Sequence, residues 1–441
     1  MSEAPLHHVI SARWVLPIEP EGSVLEQHSI VVREGRIEAV LPTSGLSDVH
    51  RELPTVKLTS HLVTAGLINT HGHAAMTLLR GYADDLPLME WLNNHIWPVE
   101  GQFVDEAFVH DGTSLAVAEM IASGTTCAAD TYFFPDAVAQ AMTENSFRGQ
   151  VCIPVVLFPN AWADSEDQHI EKGLRFHDSV RDESLITTAF SPHAPYTVSD
   201  NGFSKIVTHA ADLDIPIHLH LHETSGEVKT AITEEGQRPF ARIQKLGLLS
   251  SRLQTVHMTE LSDEEIECLA KHSVHVAHCP QSNMKLASGI CPVQSLMEMG
   301  VNVALGTDGA ASNNNLDLIE EARSAAFLSK VTTGNATSIS ANDVLSMATI
   351  NGARLLGLAD EIGSLEPGKS ADIIAVDFSD IAFQPMHNPL SQLIYAASGR
   401  QVSHTWIAGQ CLYKDGKHTQ LDIGNLTTRV ESWRQKIQGE L

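Results

Sequence analysis

The chain has 441 residues, enough for two or three domains or for one large barrel with an appendage. Hydrophobic residues make up 43% and charged residues 19%, a globular composition that excludes intrinsic disorder. With 28 Lys and Arg against 54 Asp and Glu, the formal charge is −26. A phosphate backbone or an anionic membrane surface would be repelled, so neither nucleic acid nor membrane is expected as a partner.

The cysteines, Cys127, Cys152, Cys268, Cys279, Cys291 and Cys411, form no C-x-x-C pair and suggest no disulfide framework. A reducing cytoplasm is therefore the expected location. The N-terminus MSEAPLHHVI has no basic region followed by a long apolar one, so no secretory signal is expected, and no apolar run is long enough to span a membrane. The 23 histidines are the unusual feature, because several stand at the ends of apolar runs.

Residues 1–60 read as short strands and turns, with the turn Glu34-Gly35-Arg36 between two alternating apolar runs. Residues 366–441 look alike, as in SADIIAVDF and SHTWIAGQCLYKDGK. Alternation broken by Gly, Pro and Asp predicts one small β-sandwich built from both termini. Residues 61–365 differ. Eight β-rich runs follow one another there: LVTAGLIN (62–69), TTCAADTYF (125–133), VCIPVVLF (151–158), LITTAFSPH (185–193), IPIHLHLH (215–222), LQTVHM (253–258), VHVAHCP (274–280) and VNVALGTD (301–308). Amphipathic stretches lie between several of them, among them FVDEAFVHDGTSLAVAEMIASG and SDEEIECLAKH. Alternating strands and helices imply parallel strands, and eight repeats imply an α/β fold of the (β/α)8 TIM-barrel type. An open doubly wound sheet is the rival, but no G-x-G-x-x-G follows the first strand.

A barrel keeps its active site at the C-terminal ends of its strands. The first run ends in His71-Gly72-His73, whose side chains point the same way on an extended chain and offer two imidazoles to one metal. The fifth places His218, His220 and His222 on one face, followed by Glu223. Buried imidazoles need partners, and a metal is one, although His218 reads as a hydrogen-bonded core residue one layer down. The sixth run carries His257, and the eighth ends in Asp308, which alone would read as a helix cap. Together these groups predict a divalent-metal site, Zn2+ first, with a water molecule activated at an open position and a general acid/base beside it.

These motifs resemble the amidohydrolase superfamily and, within it, the 5′-methylthioadenosine/S-adenosylhomocysteine deaminases. The residues that carry the resemblance are GLINTHGHAAMTLLRGYADDLPLMEWLNNHIWPVE (66–100), SPHAPY (191–196), HLHET (220–224), VHM (256–258), HCPQSNMKLASG (278–289) and GTDGAASNNNLD (306–317), with ATINGARLLGL (348–358) and GSLEPGKSADI (363–373). The resemblance implies a zinc-dependent deaminase of purine salvage, with one Zn2+ per subunit. It places His71, His73, His220 and Asp308 as metal ligands, His257 as the histidine that orients the water, and Glu223 as the proton shuttle. It also places Glu100 on the ribose hydroxyls and His193 against the substrate. Glu223 and Asp308 then face both metal chemistry and substrate. The fourth run ends in SPHAPY without a lysine, so the carbamylated-lysine bridge of binuclear relatives is not expected.

One departure bears on the substrate. Relatives that accept S-adenosylhomocysteine can carry arginines after the third strand, whereas IPVVLFPNAWADSEDQH (153–169) has no Lys or Arg. Arg148 reads as the end of the preceding helix, and a basic residue from elsewhere, such as Lys285, would have to reach the tail. Phe158, Pro159 and Trp162 offer apolar surface for a neutral thioether, or simply loop packing. The alternatives are another aminated heterocycle, namely guanine, a pterin, cytosine or an s-triazine, and a non-catalytic relative used for assembly. Guanine deaminases usually carry Gln after H-x-H, where this chain has Ala74, and assembly proteins lose the metal ligands that this chain keeps. A small-molecule nucleoside is the expected partner, and homo-oligomerisation is left open.

Overall fold

The computed structural model describes residues 6–439. The N-terminal part forms β1 (His8–Leu16), β2 (Leu25–Arg33), β3 (Arg36–Pro42) and β4 (Thr55–Ala65). Eight shorter strands follow: β5 (Leu67–Asn69), β6 (Thr125–Thr131), β7 (Arg148–Val155), β8 (Ile186–Pro192), β9 (Ile217–Leu221), β10 (Leu253–His257), β11 (His275–His278) and β12 (Asn302–Leu305). The C-terminal part adds β13 (Ile373–Asp377), β14 (Val402–Ile407), β15 (Gln410–Lys414) and β16 (Lys417–His418).

Both termini build one sheet, in the order β16-β15-β14-β13-β4-β1-β2-β3. Its seam is the antiparallel pair β4–β13, which joins the two ends of the chain. The sheet folds back on itself at the hairpin of β2 and β3, where the Ile37 N–H donates to Lys369 O at 2.9 Å and the Gly368 N–H to Ile37 O at 2.8 Å. β4 passes through residue 60 without a break, although the composition changes there.

The second sheet runs in strict chain order from β5 to β12. The pairs from β7 to β12 are parallel. Beyond β5 the Thr70 N–H and hydroxyl donate to Leu305 O at 2.9 and 2.8 Å, bringing the first strand against the last and closing the (β/α)8 barrel. Only Leu67–Asn69 of the run 62–69 belongs to the barrel, because the preceding residues pair in the other sheet. Arg148 opens β7 and is buried, rather than ending a helix: the helix Pro135–Glu144 stops at Asn145, and Ser146 reverses the chain at φ 52°.

Four of the helices between strands begin at Ser or Thr caps. Ser165, Ser199, Thr224 and Ser262 each accept a hydrogen bond from a backbone N–H of the first turn, satisfying donors that have no partner within the helix. Contacts group the residues up to Asn69, Ala118–Cys127 and Asp317–Asp422 in one compact unit. Thr70–Val117, Ala128–Leu316 and the segment from Ile423 form the other, which holds every site residue discussed below. The terminal helix Ile423–Ile437 thus packs with the barrel unit; Trp433 lies edge-on to Phe108 at 5.3 Å and donates its Nε1–H to Asp111 at 2.9 Å. No helix among the described residues is long and apolar enough to cross a membrane, and none of the cysteines forms a disulfide.

The helix Glu106–Ser123 presses directly on the segment after His73. A Cβ on Gly112 would lie 2.5 Å from Ala75 O, and Thr77 Oγ1 donates to Gly112 O at 2.6 Å. Gly112→Ala is expected to overpack this contact at a cost of about 1–3 kcal/mol. A thermal melt should show the midpoint falling by roughly 2–10 °C.

Candidate active site

The rim of the barrel gathers side chains from strands far apart in sequence. His71 Nε2 and His73 Nε2 each lie 3.3 Å from Asp308 Oδ1, and His220 Nε2 lies 3.2 Å from His71 Nε2. The outer hydrogen bonds set the tautomers. His73 Nδ1 faces Thr131 O at 2.7 Å and His220 Nδ1 faces His193 O at 2.7 Å. A carbonyl only accepts, so both Nδ1 atoms carry the proton. His218 Nδ1 faces Gln254 Oε1 at 3.0 Å, which leaves His218 Nε2 to accept from His71 Nδ1 at 2.8 Å. All three Nε2 atoms therefore present lone pairs to one another and to a carboxylate. Burial pushes His71 and His220 well below the usual imidazole range, so neither can relieve the crowding by taking up a proton. Four acceptors converging without a donor fit a divalent cation and little else.

Backbone conformation aims these groups. Asp308 and His257 stand at strand ends with φ 62° and 73°, a left-handed region in which non-glycine residues are strained. Asp308 Oδ2 accepts from Ser282 Oγ at 2.6 Å and Ser312 Oγ at 3.0 Å, and Oδ1 accepts from the Gly309 N–H at 2.8 Å. Gly306 lets the chain pass His71 closely: a Cβ there would lie 2.9 Å from His71 Cβ. His257 donates from Nδ1 to Asn283 Oδ1 at 2.9 Å, and its Nε2 lies 3.9 Å from Glu223 Oε1. It also groups with His71 and His220, their ligand atoms all within 4.8 Å of one another. Glu223 is fixed through its backbone, which donates to Glu227 Oε2 at 2.7 Å and accepts from Thr259 Oγ1 at 2.8 Å. Burial pushes its carboxyl up.

A cavity of about 770 Å³ opens onto this cluster, lined by His73, His193, His220, Glu223, His257 and Asp308 on one side. Glu100, Tyr132, Trp91, Trp97, Phe158 and Pro159 are among its other walls. Glu100 arrives on the segment Leu88–Phe103, in which a wide π-turn (Leu92–Ile96) joins two helical pieces. Such turns are common at functional sites. Burial pushes the Glu100 carboxyl up to about 7, opposed by the hydrogen bond from Tyr132 and by the nearby His73. His193 is pushed down to about 4 by burial.

Of the site residues read from the sequence, His73, Glu100, His193, His220, Glu223, His257 and Asp308 line one cavity, and the buried His71 lies behind them against Asp308 and His220. One neighbouring reading changes, and two that the sequence left open are decided. His222 leaves the face of His218 and His220: β9 ends at Leu221, and at φ 52° the His222 ring turns away to accept from the Phe240 N–H at 3.1 Å. Trp162 is buried against His169, with ring centroids 5.1 Å apart, and does not line the cavity. Lys285 is held by Asp84 at 2.6 Å and by Ala311 O, away from the cavity wall. His218 is a hydrogen-bonded core residue as read, and it also sets the His71 tautomer. Tyr132, Ser282, Asn283 and Gln254 were not singled out in the sequence. Their sequence signal is position, on barrel strands or just beyond their C-terminal ends, and for Ser282 and Asn283 also the motif HCPQSNMKLASG that contains them.

Residues 62–412 match the sequence profile of the amidohydrolase family. The chain is 48% identical over 432 residues to the 5-methylthioadenosine/S-adenosylhomocysteine deaminase of Teredinibacter turnerae, covering 98% of each. It is 46% identical over 439 residues to the protein of that name from Saccharophagus degradans, covering 100% of this chain and 98% of the other. Among solved structures, it superposes with a TM-score of 0.95 on an adenosine deaminase from Xanthomonas campestris with bound zinc. That pair is 46% identical, with 99% of this chain and 100% of the other covered. An atrazine chlorohydrolase from Arthrobacter aurescens, 23% identical, shares the fold at a TM-score of 0.89, over 97% of this chain and 99% of the other.

Removing the acceptor behind His71 should loosen the metal without removing a ligand. His218→Ala is expected to weaken divalent-metal affinity about 10–100-fold, measured by competition with a chromogenic chelator. Circular dichroism should stay native. Unchanged affinity would show that the His71 tautomer is set otherwise.

Proposed function

This chain belongs to the amidohydrolase family, and we propose that it is a metal-dependent hydrolytic deaminase of adenine nucleosides. It converts the 6-amino group of 5′-methylthioadenosine, and less efficiently that of S-adenosylhomocysteine or adenosine, to the inosine-type product and ammonia. The observation that carries this reading is the single cavity in which three convergent imidazole lone pairs and Asp308 stand beside Glu223 and His257. The names of the relatives at 46–48% identity support the substrate class.

His71, His73, His220 and Asp308 would hold one Zn2+ per chain, a choice supported by the borderline donor set and by the zinc in the Xanthomonas relative. The cation would supply the Lewis acidity that brings the pKa of water toward neutrality. The protein residues do the rest. His257 donates its Nδ1 proton to Asn283, so its Nε2 accepts from the attacking water and holds an oxygen lone pair toward C6. Glu223 takes a proton from that water as the C6–O bond forms and delivers it to the ring nitrogen beside C6. The remaining water proton passes to the amino group, the C6–N bond breaks, and ammonia leaves. Glu100 accepts from the ribose hydroxyls, and His193 contacts the substrate from the opposite wall.

The 5′ substituent lies where Phe158 and Pro159 form the wall, and no Lys or Arg lines the cavity among the described residues. A methylthio group asks only for apolar surface, whereas a homocysteine tail brings a carboxylate and an ammonium that must stay hydrated or find partners.

Three measurements test the reading. Elemental analysis should find one divalent metal per chain, and His220→Ala should lose metal and turnover together; none or two per chain contradicts the ligand set. Glu223→Gln should keep the metal and lose turnover by about 10²–10⁴-fold, the usual contribution of a placed proton-transfer group. An ultraviolet assay on 5′-methylthioadenosine, S-adenosylhomocysteine, adenosine, guanine and a pterin should give the highest kcat/KM with 5′-methylthioadenosine. The margin over S-adenosylhomocysteine should be roughly 10–150-fold, equivalent to one missing charge-assisted hydrogen bond of about 1.5–3 kcal/mol. Equal or better use of S-adenosylhomocysteine would sink the argument from the uncharged wall, and activity on guanine alone would sink the nucleoside reading.

A further inference from the structure

Glu100 must accept hydrogen bonds from sugar hydroxyls while standing on a segment whose π-turn departs from regular helix. Something has to fix its carboxylate. Tyr132, one residue beyond β6, donates its hydroxyl proton to Glu100 Oε1 at 2.5 Å. The Tyr132 ring is 5% exposed and lies against Phe133, with centroids 5.8 Å apart, so the donor itself is held by packing. Both residues line the cavity. Glu100 Oε2 has no partner among the described residues, so the free oxygen is the one left for a ligand.

We propose that Tyr132 is a positioning residue for ribose recognition: by occupying Glu100 Oε1 it directs Oε2 to the 2′- and 3′-hydroxyls and makes the site select ribonucleosides over their deoxy counterparts. The charge balance agrees. Burial pushes the Glu100 carboxyl up to about 7, and the Tyr132 hydrogen bond favours its ionised, accepting form. The phenol itself is pushed well above its ordinary value by burial and by Glu100, so it stays a donor. A tyrosine that only filled the wall would gain nothing from its hydroxyl.

The proposal rests on the nucleoside reading above, and its test separates the two. Inosine and 2′,3′-dideoxyinosine carry no 6-amino group and cannot be deaminated, so their binding can be titrated calorimetrically in the metal-loaded protein. The wild type should bind inosine about 10–100-fold more tightly than the dideoxy compound. Tyr132→Phe should lose at least about tenfold for inosine and leave dideoxyinosine unchanged. Adding Tyr132→Phe to Glu100→Gln should cost nothing further, because the two act as one unit. With 5′-methylthioadenosine, Tyr132→Phe should raise KM more than it lowers kcat. Equal weakening of both ligands, or losses that add in the double variant, would overturn the proposal, as would a wild type indifferent to the sugar hydroxyls. A wild type that selects inosine yet deaminates no nucleoside would overturn the deaminase reading and leave the role of Tyr132 standing. A protein that binds neither ligand overturns both.

Discussion

Each imidazole of the candidate metal site donates its Nδ1–H to an acceptor that offers no proton in return. For His73 and His220 that acceptor is a main-chain carbonyl, and for His71 it is the far nitrogen of His218, itself fixed by Gln254. The Nε2 lone pairs that result face one another and Asp308 at 3.2–3.3 Å. In a water-filled cleft such crowding would be relaxed by protonation or rotation. Here burial disfavours the first, and packing around the buried His71 and His218 prevents the second. The arrangement suits a cation, and in such a site the outer partners matter nearly as much as the groups that would hold it.

The barrel is what makes such a cluster affordable. Closure at Thr70 and Leu305 brings the first strand against the last, so that groups separated by 147 residues, as His71 and His218 are, share one hydrogen bond. At the rim, left-handed residues redirect the chain: His257 and Asp308 turn their side chains to the cavity, and His222 turns its ring away from it. Such strain persists because surrounding contacts over-determine it; Asp308 alone receives two hydroxyls and one main-chain N–H. Serine and threonine caps then start several helices just beyond the rim, keeping the loops short and their donors satisfied.

Substrate selection is distributed differently. The reacting end of the cavity is polar and built on strand ends, which hold atoms to fractions of an ångström. The opposite walls come from loops and from the segment Leu88–Phe103, with Trp91, Trp97 and Phe158 presenting apolar surface. The overall charge of −26 and the absence of cationic lining work together, since a ligand carrying an extra carboxylate meets neither long-range attraction nor a local partner.

Much of this was legible in the order of residues. Eight short β-rich runs alternating with amphipathic stretches pointed to the barrel, because strand–helix alternation implies parallel strands and eight repeats close. H-x-H, His220, His257 and Asp308 pointed to a metal site because polar groups at the ends of apolar runs are costly unless they share a partner. What only the tertiary structure decided is which atoms meet. Alternation placed His222 with His218 and His220, but one left-handed φ removed it. The partners of Trp162, in a loop, and of Lys285, at the end of the helix Pro280–Lys285, depend on the tertiary fold, and Arg148 crossed from helix end to strand because Ser146 reverses the chain. Tautomers, the reach of Tyr132 to Glu100 and the apolar walls of the cavity all depend on pairs distant in sequence. Local patterns report only neighbours, and closing the barrel creates contacts that no neighbour relation contains.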